Sequence, residues 1–151
     1  MGLFNLFKKP PKIQDDLFGE MTFIDVKGPS ESYFESRVFF KPGAKMAEAL
    51  IPGDINGPAS GQKDFFTNLQ NNFDLYIEKM KPVIENEFKN WKKDFVIKDF
   101  NREFFLDCIT CPRLEKKPLK WEMSFTTIHD RNHWVHIEFS DDTPTGIMID
   151  G

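Results

Sequence analysis

The residues best suited to chemistry are the only three histidines, His129, His133 and His136, which lie close together. Imidazole is a common zinc ligand and general base. A three-residue turn at residues 130–132 would place His129 opposite His133, while His136 would face the other side of a sheet. Because a zinc site needs about four ligands, these two histidines do not complete one, even with help from Asp130. We therefore expect no bound metal and interpret the histidines as the rim of a hairpin.

The stretch Cys108-Ile-Thr-Cys111 has the spacing of a redox motif. Redox enzymes place this motif at the start of a helix, whereas here it ends an apolar strand and runs into Pro112. In a strand, residues three apart point to opposite faces, with Cα atoms about 10 Å apart. A disulfide requires a separation of roughly 4.4–6.8 Å. We therefore predict that Cys108 is a small buried residue and not part of a redox site.

Other catalytic motifs do not occur in the sequence. It contains no nucleophile elbow, no His-Glu-x-x-His, no P-loop and no dinucleotide-binding glycine pattern. The spacing of the 24 acidic residues does not indicate which two could act as a catalytic acid and base. We therefore assign no catalytic residue and expect no cofactor. An enzyme or a metal-dependent activity centred on the C-terminal histidines remains the alternative.

Composition indicates one globular domain. The chain has 151 residues, 40% of them hydrophobic and 29% charged. Its net charge of −4 argues against a nucleic-acid-binding protein, which needs a basic surface. Its 17 phenylalanines predict a core filled by aromatic rings. With only two cysteines and no signal-peptide pattern, we expect a cytoplasmic protein.

Residues 1–14 form a segment of distinct character, because they carry three lysines and no acidic residue. We treat them as an N-terminal tail and residues 15–151 as a single domain. Apolar side chains near the start could enter a membrane surface while lysines meet anionic head groups. The alternative is a segment that frays or packs on the domain. The residues of the proposed membrane contact are Leu3, Phe4, Leu6, Phe7, Lys8 and Lys9.

Hydrophobic periodicity predicts strands, then a helix, then strands. Alternation predicts strands at residues 17–26 and 33–40. A long loop follows at residues 41–61, in which the apolar stretch 46–51 could form a helical turn or a short strand. Apolar residues at spacings of three and four then predict a helix over residues 62–92. Pro82 should kink or break that helix. Strands are predicted again at residues 103–111, 121–129, 133–140 and 146–150.

This order predicts an α+β domain in which one antiparallel sheet of about six strands packs on one long helix. The predicted element order is β-β-α-β-β-β-β. With a turn at residues 130–132, Phe125 should lie opposite Ile137 on the face that packs against the helix. Trp134, His136 and Glu138 should then lie on the opposite, polar face.

Three segments resemble a family of small bacterial domains of unknown function. They are the opening Asp15-Asp-Leu-Phe-Gly19, the strands within residues 121–139, and the closing run Gly146-Ile-Met-Ile-Asp-Gly151. The resemblance implies an α+β fold in a cytoplasmic bacterial protein, and it implies no particular activity.

Together these observations favour a binding domain without catalysis, whose partner is another protein. Tryptophan is enriched among the residues that dominate protein–protein affinity. We therefore assign the partner surface to Trp134, His136 and Glu138. The alternative for Trp134 is that another part of the chain covers it.

Overall fold

The computed structural model describes residues 9–26 and 30–151, and it contains nine strands and three α-helices in that part of the chain. The strands are β1 (Lys12–Asp15), β2 (Gly19–Ile24), β3 (Tyr33–Phe40), β4 (Lys45–Asp54), β5 (Gly57–Pro58), β6 (Phe104–Thr110), β7 (Lys120–Thr127), β8 (Trp134–Ser140) and β9 (Thr143–Asp150). The helices are α1 (Gln62–Asn71), α2 (Phe73–Phe88) and α3 (Phe100–Glu103). The predicted α+β class is therefore confirmed.

The predicted sheet is wrong in size and in pairing. All nine strands belong to one mixed sheet, ordered β1-β2-β3-β4-β6-β7-β8-β9, with β5 paired to β4. The pair β4–β6 is parallel and aligns Glu48 with Cys108, while the other pairs are antiparallel. The helices connect β5 to β6, and a long crossover of this kind allows two strands to run parallel.

The main cause of this difference is residues 41–61, which we predicted to be a loop. Ten of them, Lys45–Asp54, form β4 near the middle of the sheet, and its buried residues are Ala47, Ala49 and the stretch 51–53. A short 3-10 turn at Lys41–Gly43 and left-handed Ala44 return the chain from β3 into β4. The prolines and glycines that suggested a loop therefore mark the two ends of a strand.

Two helices replace the single predicted one, and the break lies at Asn72 instead of Pro82. Asn72 leaves helical geometry, with φ −113° and ψ 20°. Its side-chain amide donates to the carbonyl oxygen of Asn68 at 2.9 Å. Asparagine competes in this way with the helical backbone hydrogen bonds. Pro82 lies inside α2, and the helix continues through it to Phe88.

The helices pack on one face of the sheet through aromatic rings, as the phenylalanine content predicted. The ring centroids of Phe73 and Phe40 are 4.9 Å apart. The ring of Tyr76 stands edge-on to Trp121, with centroids 5.5 Å apart. The quadrupoles of aromatic rings favour such edge-on arrangements. The core therefore lies between the helices and the inner face of the sheet.

The C-terminal hairpin has the predicted faces and a different register. Phe125 pairs with Val135, and Met123 pairs with Ile137, two residues away from the predicted pairing of Phe125 with Ile137. Because side chains alternate along a strand, a shift of two residues keeps each one on its predicted face. Phe125 and Ile137 are accordingly buried, at 0% exposure each.

Glu103 explains the register, because it binds the residues that we had assigned to the end of the hairpin. Its carbonyl oxygen accepts hydrogen bonds from the Thr127 hydroxyl at 2.9 Å and from the Ile128 N–H at 3.1 Å. Strand β7 therefore ends at Thr127, and residues 128–133 connect it to β8. The side chain of His129 contacts the carboxylate of Glu103, and His129 does not pair with His133. The predicted pairing of these two histidines is therefore wrong.

The N-terminal segment is described only from Lys9 onward. Residues 12–14, which we assigned to the tail, belong to β1 and pair with β2. The proposed membrane contact at residues 3–8 lies outside the described residues and stays a prediction. None of the described helices is both long enough and apolar enough to cross a bilayer.

Candidate functional site

The face of the sheet opposite the helices, called the open face here, is not covered by any helix in the described part of the chain. On β8, Val135 and Ile137 point into the core, whereas Trp134, His136 and Glu138 point to the open face. The open face between β3 and β9 includes Tyr33, Glu35, Arg37, Phe39, Met46, Glu48, Leu50, Cys108, Thr110, Lys120, Glu122, Ser124, Thr126, Trp134, His136, Glu138, Met148 and Asp150.

Trp134 is the large aromatic residue at the end of this face, and its orientation is fixed. Its indole N–H donates to Oδ2 of Asp107 at 3.1 Å, which spans the intervening strand β7. The side chain is nevertheless 42% exposed. A ring that is already held in place loses little conformational entropy on binding a partner. Trp134 therefore lies where we predicted it, and no described segment buries it.

Glu138 lies on the open face opposite Gly146 of β9. A Cβ atom at position 146 would come within 2.8 Å of Oε2 of Glu138. Glycine therefore leaves room for the Glu138 carboxylate to lie over β9. The structure places Glu138 as predicted and shows why a residue without a side chain faces it.

His136 lies between a hydroxyl and two carboxylates. Its Nδ1 atom is 2.7 Å from Oγ of Ser124, and its Nε2 atom is 2.7 Å from Oδ1 of Asp150. Oε1 of Glu122 is 3.3 Å from Nδ1 and accepts a hydrogen bond from the Ser124 hydroxyl at 3.2 Å. The predicted register placed Thr126 opposite His136. The sequence analysis therefore missed this cluster.

A serine, an imidazole and a carboxylate in line are the groups of a hydrolase triad. The order here is a hydroxyl at one ring nitrogen and a carboxylate at the other, which suits proton transfer. Ser124 is only 7% exposed, and the carboxylate of Glu122 competes for its hydroxyl. These hydrogen bonds fix the orientation of the His136 ring.

The three histidines occupy separate places. His129 Nε2 is 2.7 Å from Oε2 of Glu103, and His133 Nδ1 is 2.8 Å from both carboxylate oxygens of Asp130. His136 belongs to the open face. Within residues 9–26 and 30–151, no three histidine, cysteine or acidic side chains form a group that could hold a metal ion.

Glu103 is a buried carboxylate that the sequence analysis did not select. Its Oε1 atom accepts hydrogen bonds from the N–H groups of Lys98 at 2.7 Å and Asp99 at 2.6 Å. Burial by itself raises the pKa of Glu103, but the N–H of Asp99, His129 and the N–H of Lys98 outweigh it. The pKa of Glu103 therefore lies below its ordinary value, and the ionised form stabilises the fold.

Replacing Glu103 by Gln should lower the free energy of unfolding by about 1–3 kcal/mol at pH 7, because charge-assisted hydrogen bonds are lost. A lowered pKa means that this stabilisation is present above the unfolded-state pKa and lost as the pH falls through the folded-state pKa. The difference from wild type should therefore shrink on acidification. Chemical denaturation at several pH values measures it. Asp94→Asn, at an exposed position, is the control, and a loss that does not vary with pH would contradict the prediction.

The cysteines are free and poorly suited to redox chemistry. Cys108 is half-buried on the open face, where we had predicted a buried residue, and Cys111 is buried. Burial, together with Glu48 and other nearby carboxylates, raises the pKa of Cys108 to about 12. Burial likewise raises the pKa of Cys111 to about 12. Because the thiolate is the reactive form, both thiols are unreactive at neutral pH.

The open face carries several carboxylates that have no lysine or arginine partner. Among the described residues, no lysine or arginine forms an ion pair with these side chains. The face also exposes apolar side chains, including Phe39 at 56% and Met148 at 52%. The carboxylates without a lysine or arginine partner belong to Glu48, Asp107, Glu122, Glu138 and Asp150.

Comparisons of the chain with protein-family models, with curated proteins and with solved structures find no match. The resemblance to a family of small bacterial domains therefore stays a prediction. The function proposed below is therefore inferred from the geometry of the open face.

Proposed function

We propose that this protein is a binding domain whose open face docks on a basic surface of another protein. The observation that carries the proposal is Trp134, which is oriented by Asp107 and still 42% exposed on a face without a covering helix. Exposed apolar side chains at Phe39, Met46 and Met148 extend the surface across the sheet. Contiguous exposed apolar surface is typical of interaction sites.

The charge of the part of the open face around Trp134 supports a partner of opposite sign. Glu48, Asp107, Glu122, Glu138 and Asp150 surround or adjoin the apolar side chains and lack lysine or arginine partners among the described residues. A basic partner surface would form ion pairs with these carboxylates, and their negative potential would attract it toward the open face. The partner is therefore expected to present lysine or arginine side chains around an apolar pocket that receives Trp134.

A charge reversal tests the proposal. Wild-type protein is immobilised and mixed with extract from its native host, and each retained protein is purified and its affinity measured. The double variant Glu122→Lys and Glu138→Lys should weaken binding at least about tenfold, because like charges would face each other. Wild-type binding should also weaken with rising salt concentration.

The matched control reverses two exposed carboxylates outside the open face, Asp74→Lys on α2 and Asp94→Lys in the loop that follows it. This control should bind within about twofold of wild type. Equal losses in both double variants would show that binding depends only on net charge. No loss in the open-face variant would contradict the proposal.

A hydrolase is the second candidate, and the geometry of Ser124, His136 and Asp150 is the observation in its favour. The test is hydrolysis of p-nitrophenyl acetate by wild type, Ser124→Ala and His136→Ala. Turnover that both substitutions abolish would support the hydrolase. A wild-type rate equal to that of both variants would support a structural role for the cluster.

The cytoplasmic location and the bacterial origin belong to the same proposal. Both are supported by the resemblance described above. The free thiols of Cys108 and Cys111 support only the location, because they suit a reducing compartment.

A further inference from the structure

A pocket of about 450 Å³ opens on the open face, at the end of the sheet where β7 begins, whereas Trp134 lies at the opposite end of the neighbouring strand β8. Its volume lies in the range of pockets that bind small organic molecules. Strands β3, β4 and β6 contribute its floor, and the segment that leads from β6 into β7 contributes its wall.

The floor of the pocket is apolar. Tyr33, Leu50 and Pro52 line it, and Thr110 adjoins them on the neighbouring strand. Tyr33 pairs with Pro52, so their side chains lie side by side on the same face. A flat ring or a short hydrocarbon chain would remove this surface from water.

The wall of the pocket is basic. Arg113, Lys116 and Lys120 line it, and the pocket has no acidic lining residue. Arg113 Nη2 donates to the backbone oxygen of Ser32 at 3.0 Å, and Lys120 Nζ donates to the hydroxyl of Ser140 at 3.1 Å. Both cations are thus held by neutral acceptors. Within the described residues, none of the three forms an ion pair with a carboxylate.

From this combination we propose that the pocket binds a small organic anion, with its apolar body on the floor and its anionic group between Arg113, Lys116 and Lys120. Arginine and lysine both recognise carboxylate, sulfonate and phosphate groups, and positioned cations bind them through charge-assisted hydrogen bonds. The acidic chain as a whole does not attract anions. A local anion site therefore depends on these three residues. The proposal is independent of the partner surface around Trp134.

The probe for the test is 8-anilinonaphthalene-1-sulfonate, which combines flat rings with one negative charge. Folded wild-type protein should bind it saturably, with an affinity that falls as salt concentration rises. The double variant Arg113→Gln and Lys116→Gln should raise its Kd at least about tenfold, because charge-assisted hydrogen bonds are lost. Filling the pocket with Thr110→Trp should have a similar effect.

The matched control removes two exposed lysines elsewhere, Lys89→Gln and Lys93→Gln, and should leave the Kd within about twofold of wild type. Displacement by phenylacetate or phenyl phosphate, and not by neutral naphthalene, would support an anion site, and the more effective competitor would identify the preferred anionic group. Thermal unfolding checks that each variant is folded. No saturable binding to wild type, equal binding to all variants, or equal displacement by naphthalene would overturn the proposal.

Discussion

Replacing Phe73 by Ala should lower the free energy of unfolding by about 3–5 kcal/mol, the usual cost of removing a buried aromatic ring. Phe73 begins α2 and is only 4% exposed. Its ring stands edge-on to Phe40 of β3 at 4.9 Å between centroids and lies 6.4 Å from the ring of Phe100. The substitution would therefore leave a cavity where α2, β3 and α3 meet.

Chemical denaturation followed by circular dichroism measures this loss. Leu75→Ala is the matched control, because Leu75 lies two residues further along the same helix and is 61% exposed. The control should change the free energy of unfolding by less than about 1 kcal/mol. A loss below 1 kcal/mol for Phe73→Ala would contradict the assignment of the buried helix face.

Replacing Trp134 by Ala should weaken binding of the protein partner by about 2 kcal/mol or more, which corresponds to roughly a 30-fold increase in Kd. Trp134 is 42% exposed on the open face, and its hydrogen bond to Asp107 holds it in place. Loss of the ring removes both the apolar contact and the preorganisation.

Isothermal titration calorimetry with the purified partner measures this effect. Trp91→Ala is the matched control, because Trp91 is similarly exposed, at 48%, and follows α2 on the other side of the molecule. An increase in Kd for Trp91→Ala as large as that for Trp134→Ala would place the interface on the helical side. Unchanged affinity of the Trp134→Ala variant would show that Trp134 does not belong to the interface.

The faces of the C-terminal strands could be predicted from the sequence because they depend only on alternation. Val135 and Ile137 alternate with Trp134, His136 and Glu138, and burying the first pair requires exposing the others. A register error of two residues leaves this result unchanged. The assigned partner surface was therefore placed on the correct face even though its cross-strand neighbours were not.

The register could not be predicted because it depends on a contact distant in the sequence. Glu103 lies 24 residues before Thr127 and fixes the end of β7 through its backbone oxygen and its carboxylate. Nothing in the local pattern at residues 128–133 indicates this contact. The cluster of Ser124 with His136 follows from the same register and was missed for the same reason.

Strand β4 was missed because its signals conflict. Pro42, Gly43, Pro52 and Gly53 suggest turns, and they flank the apolar stretch 46–51, whose pattern fits a helical turn as well as a short strand. In the structure a Cβ at Gly53 would collide with the backbone oxygen of Gly57, so glycine permits the tight return into β5. The residues that suggested a loop are thus those that allow a central strand to begin and end.

Oxidative footprinting of the complex tests the central claim most directly. Hydroxyl radicals modify exposed aromatic and sulfur-containing side chains and, more slowly, aliphatic ones such as leucine, and mass spectrometry locates each modification. Partner binding should protect Trp134, Met148 and Met46 on the open face and leave Trp91 and Leu75 on the helical side unchanged. Protection of Trp91 and Leu75 with continued oxidation of Trp134 and Met148 would contradict the proposal that the open face binds the partner.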